Sequence, residues 1–255
     1  MPLSPRMLDR SAIVFAPHYD DETLGCGGMI IKKAQRAADC HVVFMTDGTA
    51  SHGPDTDRAA LAVTRRHEAE EACRILGVPS SQISSLDLPD QGLAECFEDA
   101  VAQVQRVIAD VKPEQIWLPH SAEPFIWSTD HRATTAIVRA AALRSGRRLE
   151  IMEYLVWLWL AYPWVSISAA RRAEFRPYIK TSISSILGIR LARSCALRLD
   201  VSDVLERKWA ALAAYRSQTG ALPGSPSLGQ VANGQFLDLL FQTAEIYSQG
   251  PIGTT

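Results

Sequence analysis

The sequence predicts an α/β protein, with a Rossmann-like three-layer α/β/α arrangement around a mostly parallel β-sheet. Short apolar runs alternate with amphipathic helical stretches over the first 155 residues, which is typical of strands joined by helices on both faces of a sheet. The length of 255 residues suits one large domain with a full core. Hydrophobic residues make up 47% and charged residues 21% of the chain, as in ordinary soluble globular proteins.

The predicted elements follow one another in a regular order. Five short apolar runs are expected to be strands: Ala12–Ala16, His41–Met45, Ile83–Leu86, Gln115–Leu118 and Leu149–Tyr154. Four amphipathic stretches between them are expected to be helices: Thr23–Ala38, Asp57–Leu76, Glu95–Val111 and His131–Leu143. Ligands bind at the carboxyl ends of the strands in open parallel sheets, so we expect the functional site at that edge.

The composition changes after Tyr154. Four aromatic residues fall within eight positions, namely Trp157, Trp159, Tyr162 and Trp164, and four basic residues follow them, namely Arg171, Arg172, Arg176 and Lys180. We interpret residues 156–194 as a variable insertion that forms an aromatic-rich C-terminal subdomain packed on the sheet. The alternative is that residues 157–180 contact a membrane surface from the periphery.

The remaining C-terminal part is expected to complete the same domain. A strand is predicted over Ala196–Leu199, then a helix that ends at Ala214, and a last helix over Gln235–Ile246. The whole chain, residues 1–255, is therefore predicted to be one domain with its core in residues 11–155 and 195–218.

The charge balance and the cysteines exclude several classes of protein. The 26 Lys and Arg residues are balanced by 28 Asp and Glu residues, which argues against nucleic-acid binding through a basic surface. The five cysteines are widely spaced without a CxxC pair, which favours reduced thiols over disulfides. No apolar run has the length of a signal peptide or of a membrane span, so we expect a cytoplasmic protein. Peripheral membrane association stays open, and the sequence does not predict an oligomeric state.

The densest group of chemically active residues lies directly after the first predicted strand. His18, Asp20, Asp21 and Glu22 fall within five positions. Charges at the end of a buried strand are costly unless a cation or a substrate pairs with them. His18 and Asp21 can bind one face of a metal ion, and Asp20 is then left to act as a base on water. The cluster predicts a hydrolytic metal site with a third ligand elsewhere.

The third ligand is expected on another loop at the same edge of the sheet. Asp130 and His131 open the helix after the fourth strand. His131 is therefore the candidate ligand, and Asp130 is a candidate to hold the chain in place for metal binding. The alternative is that Asp130 only caps the helix while His131 is solvated. Gly25, Gly27 and Gly28 do not have the GxGxxG spacing of a dinucleotide site, and we expect them to allow close helix packing.

Six sequence motifs occur together and in a fixed order. They are Ala16-Pro17-His18-Tyr19-Asp20-Asp21-Glu22 with Gly25-Cys26-Gly27-Gly28; Thr46-Asp47-Gly48; Arg65-Arg66-His67-Glu68 with Ala72 and Leu76-Gly77-Val78; Leu88-Pro89-Asp90; Asp130-His131-Arg132; and Lys208 with Ala211-Leu212 and Tyr215-Arg216-Ser217-Gln218. Together they resemble the PIG-L/LmbE-like zinc deacetylase family over roughly residues 11–155 and 197–218. The resemblance implies an LmbE-like fold and hydrolysis of an N-acetyl group from an amino sugar, usually N-acetylglucosamine within a larger glycoside.

The resemblance also implies roles for individual residues. His18, Asp21 and His131 would bind Zn²⁺, although Fe²⁺ or Co²⁺ also suits this donor set. Asp20 would be the general base. Arg65 and Asp90 match positions that contact the substrate or shape its pocket, and Asp130 would orient a neighbouring group. The expected partner is a small-molecule amino-sugar conjugate.

Two positions depart from the family pattern. Tyr19 replaces a proline, which removes no chemistry. Ser128 replaces a histidine that helps to stabilise the tetrahedral intermediate and to protonate the leaving amine. A serine hydroxyl can donate a hydrogen bond but cannot act as an acid near neutral pH, so His120 or Asp20 is the candidate for that proton transfer. The alternatives are a catalytically weakened sugar-binding protein, or an amidase acting on another acyl group or on a thiol-linked glycoconjugate.

Overall fold

The structure is a computed structural model that describes residues 1–50, 56–121, 123, 129–160, 164–166, 168, 176, 178–180, 182–183, 195–220 and 227–250. Its strands are β1 Ala12–Ala16, β2 Cys40–Thr46, β3 Ile83–Leu88, β4 Gln115–Pro119, β5 Glu150–Tyr154, β6 Leu197–Asp200 and β7 Ala244–Gln249. Its helices are α1 Pro5–Leu8, α2 Asp21–Ala34, α3 Arg58–Leu76, α4 Phe97–Val111, α5 Asp130–Arg144, α6 Leu205–Ala214, α7 Arg216–Thr219 and α8 Gln235–Leu240. Short 3-10 helices cover Ser80–Gln82, Trp157–Leu160, Ser202–Val204 and Leu228–Gly234.

The strands form one sheet in the order β3-β2-β1-β4-β5-β7-β6. Strands β1 to β5 pair in parallel, whereas β7 is antiparallel to both of its neighbours. β1 lies between β2 and β4, with Val14 opposite Val42 on one side and Trp117 on the other. Every residue of β1 is buried, as expected for a parallel strand covered on both faces.

Helices cover the sheet on both faces, and each face has its own apolar core. Residues of α2, α3 and α6 pack in one core with Val14 of β1, and residues of α4 and α5 pack in the other with Ile13. Adjacent residues of β1 thus point to opposite layers. The predicted three-layer α/β/α arrangement with a mostly parallel sheet is confirmed.

The prediction of the last helix is wrong. We expected a helix over Gln235–Ile246, but α8 ends at Leu240 and Ala244–Gln249 is strand β7. Strand β7 pairs with β5 through residues 247–249 and with β6 through residues 244–247. Long-range pairing of this kind overrides the local helical pattern from which we predicted the helix.

The structure describes only part of the segment for which the sequence suggested an aromatic-rich subdomain. In the described part of the segment, Trp157 stacks on Phe236 with ring centroids 4.9 Å apart, and Trp159 meets Trp164 edge-on. Tyr162 lies outside the described residues. These contacts tie Trp157 to α8, and a separate aromatic-rich subdomain is not confirmed. Within the described ranges, no helix has both the length and the apolar character needed to cross a bilayer.

Candidate metal centre

The turn between β1 and α2 brings the first cluster to the carboxyl edge of the sheet. β1 ends at Ala16 and α2 begins at Asp21, so the intervening residues form a tight turn. Asp20 has a φ of 117°, a conformation that is strained for any residue other than glycine. Its carbonyl accepts the backbone N–H groups of Thr23 and Leu24, at 3.0 and 2.9 Å, which holds the strained turn in place. Strain of this kind is concentrated at functional sites.

Two histidines and one carboxylate converge at this edge. His18, Asp21 and His131 each offer one ligand atom, and these atoms lie within 4.8 Å of one another. Oδ2 of Asp21 lies 3.3 Å from Nδ1 of His18 and 3.3 Å from Nε2 of His131. Two imidazole nitrogens around a carboxylate oxygen form a donor set that suits zinc and related divalent cations. The residues therefore fit a metal centre with three protein ligands.

A second layer of carboxylates surrounds His18. Its Nε2 atom lies 3.3 Å from Oδ2 of Asp130 and 3.3 Å from Oδ1 of Asp90. Asp130 also accepts the backbone N–H of Gln91 at 2.6 Å, and Asp90 accepts that of Ala50 at 2.8 Å. Carboxylates that hold the far nitrogen of a ligating histidine fix its orientation and its tautomer. The geometry is consistent with the expected orienting role of Asp130.

Glu123 gives His131 the equivalent support, and this residue could not be predicted from the sequence. Oε2 of Glu123 lies 3.2 Å from Nδ1 of His131. The same side chain is buried and accepts the backbone N–H groups of Val156, Trp157 and Leu158. Glu123 has no characteristic spacing from His131, because the contact depends on how the loop after β4 meets the segment after β5.

The charges of the centre favour a cation there. Burial lowers the pKa of His131, but Asp21 and Glu123 outweigh it and raise that pKa to about 9. Burial likewise opposes the charged form of His18, and hydrogen bonds to Asp130, Asp21 and Asp90 raise its pKa well above the usual value. The surrounding carboxylates thus stabilise positive charge at both imidazoles. A divalent cation would supply that charge while the imidazoles serve as neutral ligands.

The candidate base Asp20 lies in the same buried environment. Its side chain is only 8% exposed, and burial together with repulsion from Asp21 raises the pKa of Asp20 well above the usual value. The positive charge of Arg65 opposes that rise. Arg65 is itself buried, and its guanidinium donates to the carbonyl of Gly48, so it braces the loop after β2.

The remaining site predictions have different outcomes. His120 lies at the end of β4, and its Nε2 atom is 3.4 Å from Oε2 of Glu153, which also pairs with Arg139 at 2.7 Å. Burial lowers the pKa of His120. His120 therefore lies beside a Glu153–Arg139 pair. Ser128 lies outside the described residues.

The glycines of the first motif serve close packing, as predicted. A Cβ atom on Gly25 would come within 2.2 Å of the Tyr154 ring, and one on Gly28 within 2.4 Å of Val201. The hydroxyl of Tyr154 donates to the carbonyl of Phe15 at 2.9 Å, in the strand that leads into the site. The glycines thus let α2 approach the neighbouring elements and fix the position of the turn.

The C-terminal sequence motif, which includes Tyr215 and Ser217, contacts residues next to the candidate metal centre. The Tyr215 hydroxyl donates to Oε1 of Glu22 at 2.7 Å, and Glu22 accepts the backbone N–H of Asp20 at 3.3 Å. Ser217 donates to Glu68 of α3. In these contacts the motif positions the turn that carries Asp20.

Comparisons with known proteins match the region of the chain that contains this candidate site. The family described as PIG-L, GlcNAc-PI de-N-acetylase, matches residues 13–142, which is just over half of the chain. The matched region contains the converging residues His18, Asp20, Asp21, Arg65, Asp90, Glu123, Asp130 and His131. A diacetylchitobiose deacetylase of Thermococcus kodakarensis is 28% identical over 124 residues, or 48% of this chain. The match covers 45% of that relative, so this chain spans less than half of its length.

Solved structures show the same fold. An N,N'-diacetylchitobiose deacetylase from Pyrococcus horikoshii, complexed with its inhibitor, has a TM-score of 0.64 at 20% identity, covering 95% of this chain and 84% of that one. GalB, the 4-carboxy-2-hydroxymuconate hydratase of Pseudomonas putida KT2440, has a TM-score of 0.56 at 18% identity, covering 83% and 80%. Since these two structures differ in the reaction named for them, the shared fold alone does not identify an activity.

Proposed function

The chain belongs to the PIG-L family of GlcNAc-PI de-N-acetylases, and on that premise we propose that it is a metal-dependent hydrolase. The proposed reaction removes the N-acetyl group from an amino-sugar conjugate of N-acetylglucosamine type and releases acetate and a free amine. Two deacetylases to which the chain is similar are named for diacetylchitobiose, which supports an N-acetylated amino sugar as the substrate class.

One observation carries the proposal, namely the convergence of His18, Asp21 and His131 beside Asp20. Three protein ligands with open coordination positions are typical of catalytic zinc sites. We therefore propose Zn²⁺ as the cation, with Fe²⁺ and Co²⁺ also suited to these donors. When bound, such a cation lowers the pKa of water and polarises a carbonyl group.

Asp20 is proposed as the general base. Its carboxylate would take a proton from the attacking water as the water adds to the acetamide carbon. The strained turn fixes the carboxylate at the edge of the sheet, and the positive charge of Arg65 favours the ionised form that a base requires.

The departing nitrogen needs a proton when the C–N bond breaks. Asp20 holds one after the attack and can return it to the amine, which balances the reaction without another acid. His120 is the other candidate, because it lies in the loop region directly after β4 and Ser128 cannot serve as an acid. A loss of rate of about tenfold or more in both His120→Ala and His120→Gln, relative to the wild type, would support proton transfer by His120, because neither replacement can act as an acid.

Arg65 and Asp90 are proposed to shape the substrate pocket. Both are largely buried, and both hold the loop after β2, Arg65 through Gly48 and Asp90 through Ala50. Asp90 also contacts His18. These contacts support a role in fixing the pocket wall beside the candidate metal ligand.

The test is release of acetate by the purified protein after removal and replacement of its metal. Conjugates of N-acetylglucosamine with nucleotide, lipid, thiol-linked and sugar aglycones are compared, with Zn²⁺, Fe²⁺ or Co²⁺ restored in turn. Asp20→Asn should abolish release while metal content is retained, and the exposed Asp203→Asn serves as the matched control. No acetate from any conjugate, or full activity of Asp20→Asn, would refute the proposal.

The alternatives give different results in this experiment when N-acyl conjugates with longer acyl groups are added to it. A sugar-binding protein would bind the conjugates without releasing acetate. An amidase for longer acyl groups would leave the N-acetyl conjugates intact and release a fatty acid from the longer N-acyl conjugates. Peripheral membrane contact through residues 157–180 is a separate proposal, supported only by the aromatic and basic composition of that segment. Co-sedimentation with anionic vesicles at low salt tests it.

A further inference from the structure

The indole of Trp157 lies against one of the candidate metal ligands. Nε1 of Trp157 is 3.2 Å from Nε2 of His131, and the two rings are nearly perpendicular at 67°. The same Nε2 atom lies 3.3 Å from Oδ2 of Asp21. Because Nε2 faces the shared carboxylate, the indole N–H borders the position that a cation would occupy.

The orientation of this indole is fixed from two sides. Its ring stacks on Phe236, with centroids 4.9 Å apart and planes 12° from parallel. Its backbone N–H donates to Glu123, the same residue that contacts Nδ1 of His131. Trp157 and His131 are therefore both positioned by one buried carboxylate. A donor that is held in advance loses little free energy to ordering when it is used.

The chemistry of an indole limits what this group can do. Its N–H is a donor without any acceptor capacity, so it can neither bind a metal nor remove a proton. A cation on Nε2 would take the lone pair that the indole N–H contacts here. The N–H would then face the oxygen atoms of whatever binds beside the cation.

We propose that Trp157 is a catalytic residue that donates a hydrogen bond to the oxyanion formed when water attacks the acyl carbon. The inference rests on the proposed function and adds a residue to it. It also supplies one of the two functions of the family histidine that Ser128 replaces, namely stabilisation of the tetrahedral intermediate. Trp157 stabilises the negative charge of the tetrahedral intermediate, whereas the proton for the leaving amine has to come from another group.

Kinetics of Trp157→Phe test the hydrogen bond, because phenylalanine keeps the stacking on Phe236 and removes the N–H. Removing one preorganised oxyanion donor lowers kcat by about 10²- to 10³-fold. The KM should change little, since the hydrogen bond forms in the transition state and not in the ground state. Trp159→Phe is the matched control, because Trp159 packs edge-on against Trp164 and should keep wild-type kinetics.

Two further measurements do not depend on turnover. A phosphonamidate analogue of the N-acetyl group mimics the tetrahedral intermediate, and calorimetry should show its affinity falling by about the same 10²- to 10³-fold in Trp157→Phe. The affinity for the free amino sugar should not change. Titration of the metal-free protein with Co²⁺ should quench tryptophan fluorescence, and Trp157→Phe should remove most of that quenching.

The outcomes separate this inference from the proposed function. Equal kcat and equal analogue affinity in wild type and Trp157→Phe would overturn the role of Trp157 and leave the deacetylase intact. Wild-type protein that releases no acetate from any conjugate would overturn the proposed function, and this inference with it. If Trp157→Phe does not fold, replacing Trp157 with benzothienylalanine removes the N–H from a bicyclic ring of nearly the same size and gives the same comparison.

Discussion

Asp130 directly precedes the candidate ligand His131 in the chain and contacts the other candidate ligand, His18, in the folded structure. Its Oδ2 atom is 3.3 Å from Nε2 of His18, although 112 residues separate the two in the sequence, and its neighbour is His131. Asp130 begins helix α5, so the same helix start delivers one candidate ligand and orients the second. Because Asp130 and His131 are adjacent, one helix start can serve both candidate ligands.

Replacement of Asp130 by asparagine should weaken metal binding without removing a ligand. The amide is a weaker acceptor than the carboxylate and holds His18 less firmly, and loss of such support lowers metal affinity by about 10- to 100-fold. Competition with a chromophoric chelator measures the change. Asp87→Asn, on an exposed carboxylate, is the control and should bind the metal like wild type. Unchanged affinity in Asp130→Asn would show that Asp130 does not orient His18.

Much of this candidate centre could be predicted from the sequence because its candidate ligands lie in local motifs. His18, Asp20 and Asp21 sit in one turn, and a strand end followed by a charged cluster is visible without a structure. His131 could be added because the carboxyl ends of parallel strands share one edge. Their convergence to within 4.8 Å agrees with that argument.

The parts that could not be predicted depend on contacts between distant segments. Glu123 and Trp157 contact His131 from the segments after β4 and β5, and neither residue has a spacing in the sequence that marks it. Strand β7 could not be predicted for the same reason, since its conformation follows from pairing with β5 and β6. Local periodicity carries no information about such partners.

Glu123 should affect both metal binding and stability, because it holds His131 and the backbone of residues 156–158 together. Glu123→Gln keeps the shape and one acceptor but loses the charge. We expect metal affinity to fall by about 10- to 100-fold. Loss of charge-assisted hydrogen bonds to the backbone should also cost about 1–3 kcal/mol of unfolding free energy.

Chelator competition and urea denaturation of the metal-free protein measure these two effects of Glu123→Gln separately. Glu95→Gln, at an exposed position, is the control for both measurements. A variant with normal stability and weakened metal binding would restrict Glu123 to the His131 contact. Normal values in both measurements would contradict its proposed role.

A buried ion pair between Lys208 and Glu245 lies at a break in helix α2. Cys26 has non-helical angles, with φ −148° and ψ 22°, so the second part of α2 begins anew after it. Glu245 of β7 accepts the backbone N–H groups of Gly28 and Met29 at 2.8 and 2.9 Å and thereby caps that second part. Lys208 pairs with Glu245 at 2.8 Å and donates to the carbonyl of Leu24 on the other side of the break.

Removal of the Lys208 charge should therefore be costly. Lys208→Met leaves the buried carboxylate of Glu245 without its cation, and breaking a buried pair in this way costs about 3–5 kcal/mol. The double variant with Glu245→Gln should lose less than the sum of the two single variants. Urea denaturation gives the values, with Lys32→Met at the exposed pair with Asp203 expected to cost about 0–1 kcal/mol. Additive losses would mean that the two residues act independently.

Lys33 offers a test by pH that is remote from the metal centre. Its side chain is buried and donates to the carbonyls of Met7 and Arg10 at 2.9 and 2.6 Å. Burial lowers the pKa of Lys33 to about 8 from the usual value near 10.5. Between these two values the unfolded chain binds more protons than the folded one, so the stability contributed by Lys33 rises with pH.

The unfolding free energy of the wild type, measured relative to Lys33→Met, should therefore increase by about 2 kcal/mol between pH 8 and pH 10. Below pH 8 the penalty for burying the charged amine approaches its full value, and the difference between the two proteins becomes constant. Urea denaturation at several pH values measures it, and the comparison with Lys33→Met cancels the titration of groups that do not interact with Lys33. A difference that is flat from pH 7 to pH 10 would mean that Lys33 keeps an ordinary pKa in the folded protein.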